Sequence, residues 1–465
     1  MPDSLNNVLN HPRHESIFAL PAAPGDGKSL AFPPLQQSIT VTFNYQVHFT
    51  FGLFELDNPL LANVLAQEQP QEAKSLIVVL DAGLLPSSAN LPQQILAYAQ
   101  HYQTALNLKA EPLVVPGGEA AKNDPAYVSQ VQHLIEQAGL CRHSYVVVVG
   151  GGAVLDMVGY AAATAHRGIR LVRVPTTVLA QDDSGVGVKN SVNAFGKKNF
   201  LGTFATPFAV INDAAFLSAL EQRDWIGGVA EAIKVALIKD AGLFDWIEAH
   251  ADALVERDMA VMQQVIYQSC QHHLRHIGTY GDPFEMGSSR PLDFGHWAAH
   301  RLEHLSNYRL RHGEAVAIGM ALDSTYAFLA GWLPAQDWQR ILTLLQRLGF
   351  ALAVPELSAF ADQPDHALSV FRGLNEFREH LGGELTLMLL SAIGQGFEVH
   401  HVDLDLYQQA IQQLVCFSAA YQSPSNCHAN LSSSRPVSAA PHLLYEYSSG
   451  GILGGGADQP QNLSA

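Results

Sequence analysis

The run Tyr145-Val-Val-Val-Val149 passes without a break into Gly150-Gly151-Gly152, and no other stretch restricts the fold so strongly. Consecutive apolar, mostly β-branched residues fit a strand covered on both faces. The glycines that follow require a tight turn, and from Val154 onward the pattern is helical. Such a strand, turn and helix N-terminus offers unpaired N–H groups and a positive dipole end, which suit a nucleotide phosphate. An ordinary tight βα turn is the alternative, because the spacing is not GxGxxG.

Neighbouring segments repeat the alternation. Ser75-Leu-Ile-Val-Val-Leu-Asp81 is a β-branched run, and helical periodicity spans 93–107. Leu113-Val-Val is a strand leading into Pro116-Gly117-Gly118-Glu119, and a helix is expected near 127–138. Ile39 to Phe49 alternates apolar and polar residues and predicts a further strand. Strands alternating with helices imply an α/β domain with a parallel sheet, here over residues 38–215. The loops Pro116–Lys122 and Pro175-Thr176-Thr177 each follow a strand, so they share the sheet edge at which open α/β folds bind ligands. From about residue 216 helical periodicity dominates, predicting a mostly helical second domain over 216–420, with a late strand from Glu384 and a closing helix at 405–415. Residues 1–37 and 421–465 have the composition of a disordered leader and tail.

A hydrophobic share of 48% with 15% charged residues is that of an ordinary globular protein. The net charge of −17 excludes a nucleic-acid partner, which needs a basic footprint. No apolar run reaches membrane-spanning length and the first residues lack the plan of a secretory signal, so no membrane partner and a cytoplasmic location are expected. Four scattered cysteines read as free thiols and leave no Cys-type zinc motif. Of only nine lysines, five (Lys189, Lys197, Lys198, Lys234 and Lys239) fall within about fifty residues. In an acidic chain that gathering suits an anion pocket, with a solvated charged patch as the alternative.

Residues 282–320 hold His296, His300 and His312. His296 and His300, four apart, share one helix face, and His312 opens another helix after a turn. Two imidazoles from successive helices and a carboxylate from elsewhere would form a three-ligand metal site with an open position. Twenty-one histidines in the chain keep surface histidine as the plainer reading. Glu231-Ala-Ile-Lys234 puts a carboxylate and an ammonium three apart on a helix, which alone reads as an exposed ion pair. Gln181 to Lys189, with Asn193 and Gly196-Lys197-Lys198-Asn199, interleaves polar and cationic groups with glycines, as suits a phosphorylated, polyhydroxylated ligand.

Six motifs occur in order: GGGAVLD at 150–156, HRGIRLVRVPTTVLAQDDSGVGVKN at 166–190, GKKN at 196–199, VAEAIK at 229–234, LDFGHWAAHRLE at 292–303 and RHGEAVAIGM at 311–320. With these the chain resembles the 3-dehydroquinate synthase family, the sugar phosphate cyclases, from about residue 39 to 415. Within the family it most resembles the dehydroquinate-synthase-like member of the bacterial Ebo gene cluster. The resemblance implies Glu231, His296 and His312 as ligands of Zn2+ or Co2+. It implies NAD contacts from Asp81, Glu119, Lys122, Gly151, Gly152, Asp156, Thr176 and Thr177, with Lys198 and Asn199 beside cofactor and substrate. Catalytic roles would fall to Asp183, Lys189, Lys234 and His300. Substrate would meet Arg167, Lys189, Lys198, Arg275, Asp293 and Arg378, with Arg167 reaching across a homodimer.

The implied reaction is phosphate elimination from a heptulosonate or heptulose phosphate, with NAD used catalytically and an intramolecular aldol closing a carbocycle. Departures from the family pattern concern the substrate. Asp293 stands where asparagine is usual, Ser289 where an arginine is usual with Arg290 beside it, and Arg275 and Arg378 where lysines are usual. The aspartate resembles that of the 2-epi-5-epi-valiolone synthases, whose substrate lacks a carboxylate, whereas those enzymes lack the histidine present here as His300. A metal-dependent alcohol dehydrogenase of the glycerol type is the other alternative.

Overall fold

Residues that are apolar on both sides of a strand need cover on both sides, and the sheet meets that need with helices. The computed structural model describes residues 34–67, 72–279, 284, 291–380 and 383–422. Ser289, Arg290, the leader up to residue 33 and the tail from 423 lie outside them. The strands of the first half are β1 (Gln46–Thr50), β2 (Lys74–Asp81), β3 (Leu106–Leu108), β4 (Leu113–Val115), β5 (Tyr145–Gly150), β6 (Arg170–Pro175), β7 (Lys189–Ala194), β8 (Lys197–Phe204) and β9 (Ala209–Asp213). Seven of them form one sheet in the order β1-β9-β6-β5-β2-β3, with β4 also paired to β2, and every pairing is parallel.

Helices α1 (Pro125–Gln137) and α2 (Gly152–Thr164) cover one face of this sheet. Val146 and Val148 of β5 pack there with Val131, Ile135, Leu155 and Val158. Tyr145, Val147 and Val149 point the other way, onto Leu91, Ile95 and Tyr98. Each buried valine contributes about 1.5–3 kcal/mol relative to exposure, so β5 is fixed in the middle of the sheet and delivers the glycine turn to its carboxyl edge.

Two local expectations differ from what is observed, and a third segment had none. Only Gln46–Thr50 of the alternating segment is a strand, because Ile39, Val41 and Phe43 are exposed and the alternation has no buried face. Helical periodicity over 93–107 ends at His101. The chain then turns, with Ala105 N–H donating to Tyr102 O at 2.8 Å, and Leu106 enters β3. The lysine-rich stretch is an antiparallel hairpin of β7 and β8. Its two-residue turn, Phe195-Gly196, has φ of 55° and 71°, the left-handed pair that matches strand twist.

The second half contains α3 (Gln222–Lys239), α4 (Met259–Thr279), α5 (His296–Leu305), α6 (His312–Leu329), α7 (Arg372–His380), the hairpin of β10 (Leu387–Ala392) and β11 (Gln395–Val399), and α8 (Leu404–Gln422). From Asn44 the chain forms one compact unit. Among the described residues no helix is long and apolar enough to cross a membrane. Helix α6 is buried at nearly every position from Gly313 to Ala327, as expected of a central helix. Two glycine contacts bring its neighbours to backbone distance. A Cβ on Gly313 would overlap the carbonyl oxygen of Gly227 in α3, and a Cβ on Gly319 would overlap that of Gly295 at the start of α5.

Gly313→Ala is therefore expected to lower stability by about 2 kcal/mol or more, the range for overpacking a tight contact. Chemical denaturation of the variant checks this, and an unchanged midpoint would show that α3 and α6 can separate at no cost.

Candidate active site

Helices α3, α5 and α6 each bring one side chain to a common point. Glu231 of α3 is fully buried, and its Oε1 lies 3.8 Å from His296 Nε2 and 3.4 Å from His312 Nε2. One ligand atom from each of the three falls within 4.8 Å of the others. Lys234 Nζ sits 2.5 Å from Glu231 Oε2, yet no donor meets either oxygen at a hydrogen-bonding angle. A buried carboxylate without an aligned donor is costly, and two imidazoles facing it make an N,N,O donor set suited to a divalent ion. His296 Nδ1 lies 3.2 Å from Phe294 O. A carbonyl only accepts, so Nδ1 carries the proton and Nε2 presents its lone pair.

Charge and burial set the protonation of the cluster. Burial and then the Lys234 ammonium hold the His296 imidazole down at about 3, so it is neutral. Burial opposes ionisation of Glu231, but Lys234 outweighs it and brings the carboxyl to about 2. Lys234, although buried, is held firmly protonated by Glu231 and Asp183. For His312 burial again lowers the value, but Glu303 and Glu231 raise it to about 9. His300 has an exposed edge, while dehydration by surrounding protein and the Lys198 charge push it well down.

A line of alternating charges leads from this cluster to the sheet. His312 Nδ1 is 3.3 Å from Glu303 Oε2, whose carboxylate also accepts from Lys198 Nζ at 2.9 and 3.1 Å. Lys198 Nζ is in turn 3.5 Å from Glu119 Oε1. Beyond it Lys122 pairs with Asp156 at 2.7 Å, donates to Ser191 at 3.1 Å and contacts Asn199 Oδ1. At the carboxyl edge of the sheet Asp81 accepts Gly83 N–H at 2.8 Å and Gly151 N–H at 3.2 Å. A Cβ on Gly150 would fall 2.9 Å from Asp81 Cβ, and one on Gly152 would fall 2.6 Å from Ser184 Oγ. Side chains at 150 and 152 would thus close the turn, whose helix N-terminus is shaped to take a phosphate. Thr176 N–H donates to Gly150 O at 3.1 Å, and Thr177 Oγ1 accepts Ala180 N–H at 3.2 Å.

The segment Ala180–Ser184 is a single π-helical turn beside the glycine turn. It carries Asp183, whose Oδ1 is 2.8 Å from His273 Nδ1. Burial favours the neutral acid, but Lys234 and His273 hold Asp183 well below the ordinary carboxylate range. Next to it Asp182 is fully buried with neither oxygen hydrogen-bonded, and burial with the Asp183 and Glu231 charges drives its pKa well up. Arg173, also fully buried, donates to the carbonyls of Gly185, Gly187 and Lys189 and to Asn190 Oδ1, which fixes the loop after Asp183.

Of the residues singled out in the sequence, Glu231, Lys234, His296, His300, His312, Asp183 and Lys198 belong to one network. Asp293 adds to it, its charge helping to hold the Lys234 proton. Asp81, Glu119, Lys122, Gly151, Gly152, Asp156, Thr176, Thr177 and Asn199 form the sheet-edge group, and Lys189 is exposed at the start of β7. Arg167 is exposed with a φ of 63°, Arg275 is exposed on α4, and Arg378 on α7 donates to Asn375 Oδ1 at 3.1 Å. Among the described residues no hydrogen bond or ion pair joins these arginines to Glu231, His296 or His312. Glu303, His273, Asp182 and Arg173 were not singled out. Glu303 could have been found, since 296, 300 and 303 follow the i, i+4, i+7 pattern of one helix face. The other three had no local signal.

The sequence matches two models of one family, described as 3-dehydroquinate synthase N-terminal over residues 112–227 and 3-dehydroquinate synthase C-terminal over 228–369. A 3-dehydroquinate synthase of Acinetobacter baumannii (strain AYE) is 34% identical over 319 residues, covering 68% of this chain and 85% of that one. A 2-epi-5-epi-valiolone synthase of Streptomyces glaucescens is 34% identical over 370 residues, covering 77% and 87%. Among solved structures, the 2-epi-5-epi-valiolone synthase of Streptomyces hygroscopicus subsp. jinggangensis 5008, with NAD+ and Zn2+ bound, is similar with a TM-score of 0.73 at 30% identity. That similarity covers 82% of this chain and all of that one.

The proton on His312 sets the pH dependence expected of any ion that enters the cluster. Its value of about 9 lies above neutrality, whereas His296 and Glu231 are already deprotonated there. An ion must displace that proton, so apparent affinity should fall about tenfold per pH unit below 9 and level off above it. Calorimetry in buffers of different ionisation heat should find about one proton released per Zn2+ at pH 7, and release of none would contradict this account.

Proposed function

The chain belongs to the 3-dehydroquinate synthase family, and from that premise we propose that it is an NAD- and divalent-metal-dependent sugar phosphate cyclase. On this reading it eliminates phosphate from a heptulosonate or heptulose phosphate and closes a carbocycle by intramolecular aldol, as a cytoplasmic homodimer. Residues 38–215 hold the cofactor, and 216–420 hold the metal and most of the substrate. What supports it best is the unbroken line Glu119–Lys198–Glu303–His312–Glu231–Lys234, a series of ion-pair contacts that joins the loop after β4 to the three-residue cluster.

Glu231, His296 and His312 would hold Zn2+, which would supply a Lewis acid for a substrate oxygen, and the glycine turn would hold NAD, which would supply a hydride acceptor restored in each turnover. The side chains account for the rest. Lys234, kept protonated beside Glu231, stabilises negative charge on the reacting oxygen. Asp183, kept ionised, accepts a hydrogen bond from a substrate hydroxyl. His300, neutral and open to the cleft, can take a proton and return it. Lys189 and Lys198 attract the phosphate, joined by Arg167 from a second copy of the chain. Two variants test the cluster: Glu231→Ala and His312→Ala should lose Zn2+ binding and phosphate release while retaining NAD binding. Full activity without metal would refute the assignment.

Asp293 favours the non-carboxylated branch of this chemistry, the 2-epi-5-epi-valiolone type. Its charge acts on Lys234, close to where the substrate must lie, and would repel a substrate carboxylate. Protein incubated with NAD+, Zn2+ and heptulose phosphates with and without a carboxylate should release phosphate faster from the latter, and Asp293→Asn should shift the preference toward the former. Net accumulation of NADH without phosphate release would instead identify a glycerol-type dehydrogenase.

A further inference from the structure

Helices α5 and α6 carry the two imidazoles of the cluster, and one buried carboxylate fastens both helices to α8. Asp323 lies on α6, about three turns beyond His312, and is 1% exposed. Its Oδ1 accepts Trp297 Nε1–H at 3.0 Å and the Tyr407 hydroxyl at 2.8 Å, and its Oδ2 accepts Gly295 N–H at 3.2 Å. Gly295 N–H and Phe294 C=O are opposite ends of one peptide group. The carbonyl end accepts His296 Nδ1–H at 3.2 Å. Carboxylate, peptide and imidazole thus form one hydrogen-bonded series that ends at His296 Nε2, the nitrogen facing Glu231.

We propose that Asp323 is a positioning residue for His296, acting through the Phe294–Gly295 peptide to fix the ring and strengthen Nε2 as a donor to a divalent ion. Amide resonance makes the coupling physical, because a negative charge drawing on the N–H increases the negative charge on the same peptide's oxygen. The carbonyl then pulls harder on Nδ1–H, and hydrogen-bonded chains reinforce one another in this way where water is absent. Metal-bound histidines are commonly oriented by a carboxylate on the far nitrogen. Here His312 has Glu303 in direct contact, and His296 has Asp323 at one peptide's remove. Burial pushes the Asp323 carboxyl up to about 7 while its three donors, two on Oδ1 and one on Oδ2, pull it down, so the coupling acts above that pH, where the carboxylate is ionised and accepts from all three.

The inference rests on the reading of His296 as a metal ligand, and the test keeps the two separable. The full chain, Asp323→Asn and Tyr407→Phe are compared at pH 9, where Asp323 is ionised, for Zn2+ affinity by chelator competition, for the visible spectrum of the Co2+-loaded protein, for NAD affinity and for Tm. Asp323→Asn removes the charge and should loosen Zn2+ about 10–100-fold and shift the Co2+ bands, leaving NAD affinity unchanged. Tyr407→Phe removes one donor from the carboxylate but keeps its charge and the bond from Gly295. It should lower Tm while Zn2+ affinity and Co2+ bands stay as in the parent. Zn2+ binding in Asp323→Asn as tight as in the parent would overturn the proposal. So would a tenfold loosening in Tyr407→Phe, which would make the packing of α8 the cause, and this second criterion decides the matter if Asp323→Asn does not fold. Failure of the parent itself to bind Zn2+ would instead remove the metal reading.

Discussion

Three helix backbones touch, and the cleft depends on it. Side chains between helices normally keep their axes 8–10 Å apart. Glycine pairs at 227 and 313 and at 295 and 319 remove that spacing where it matters. The first sets the distance from Glu231 to His312, and the second sets the distance from His296 to α6. Because α6 is buried almost all round, it acts as the fixed rod against which the other two ligands are placed. The convergence of Glu231, His296 and His312 is in this sense a property of backbone packing, and the side chains only complete it.

Electrostatics imposes the second requirement. Asp182, Asp183, Glu231 and Glu303 are gathered in a protein already carrying −17, and such a group is stable only if cations or protons are interleaved with it. Lys234, Lys198, His273 and His312 fill that role. The pattern accounts for the positions of Lys198 and Lys234, and for why His312 keeps a proton beside Glu303 while the adjoining His296, buried next to Lys234, gives its proton up.

Much of this was legible in the residues. The apolar run of β5 with its glycines specified a parallel sheet and the position of the turn, because a strand hidden on both faces has no other setting. The i, i+4 histidines specified a helix face, and the family resemblance, not the spacing, named Glu231 as the residue that meets His296 and His312. Segments whose structure depends on remote partners were not legible. The β7–β8 hairpin has no clean alternation, since its polar residues serve remote partners, Lys198 meeting Glu303 and Asn199 meeting Lys122. His273 faces Asp183 across ninety residues of chain, and its neighbour Arg275 points elsewhere, a difference that only the phase of α4 decides. Asp323 gave no signal either, because a lone aspartate in an apolar helix acquires meaning only from the Trp, Tyr and peptide that surround it.

The grip of Glu303 and Glu119 on Lys198 has a consequence for whatever enters the cleft. The ammonium already has two counter-ions, so an arriving anion exchanges partners with them and does not fill a vacancy. A singly charged group gains little from such an exchange. A phosphate ester carrying close to two charges can outcompete a carboxylate, and in doing so it frees Glu303 to bind His312 alone. Glu303 is shared between Lys198 and His312, so a change of partner at the ammonium is felt at the imidazole through one acid.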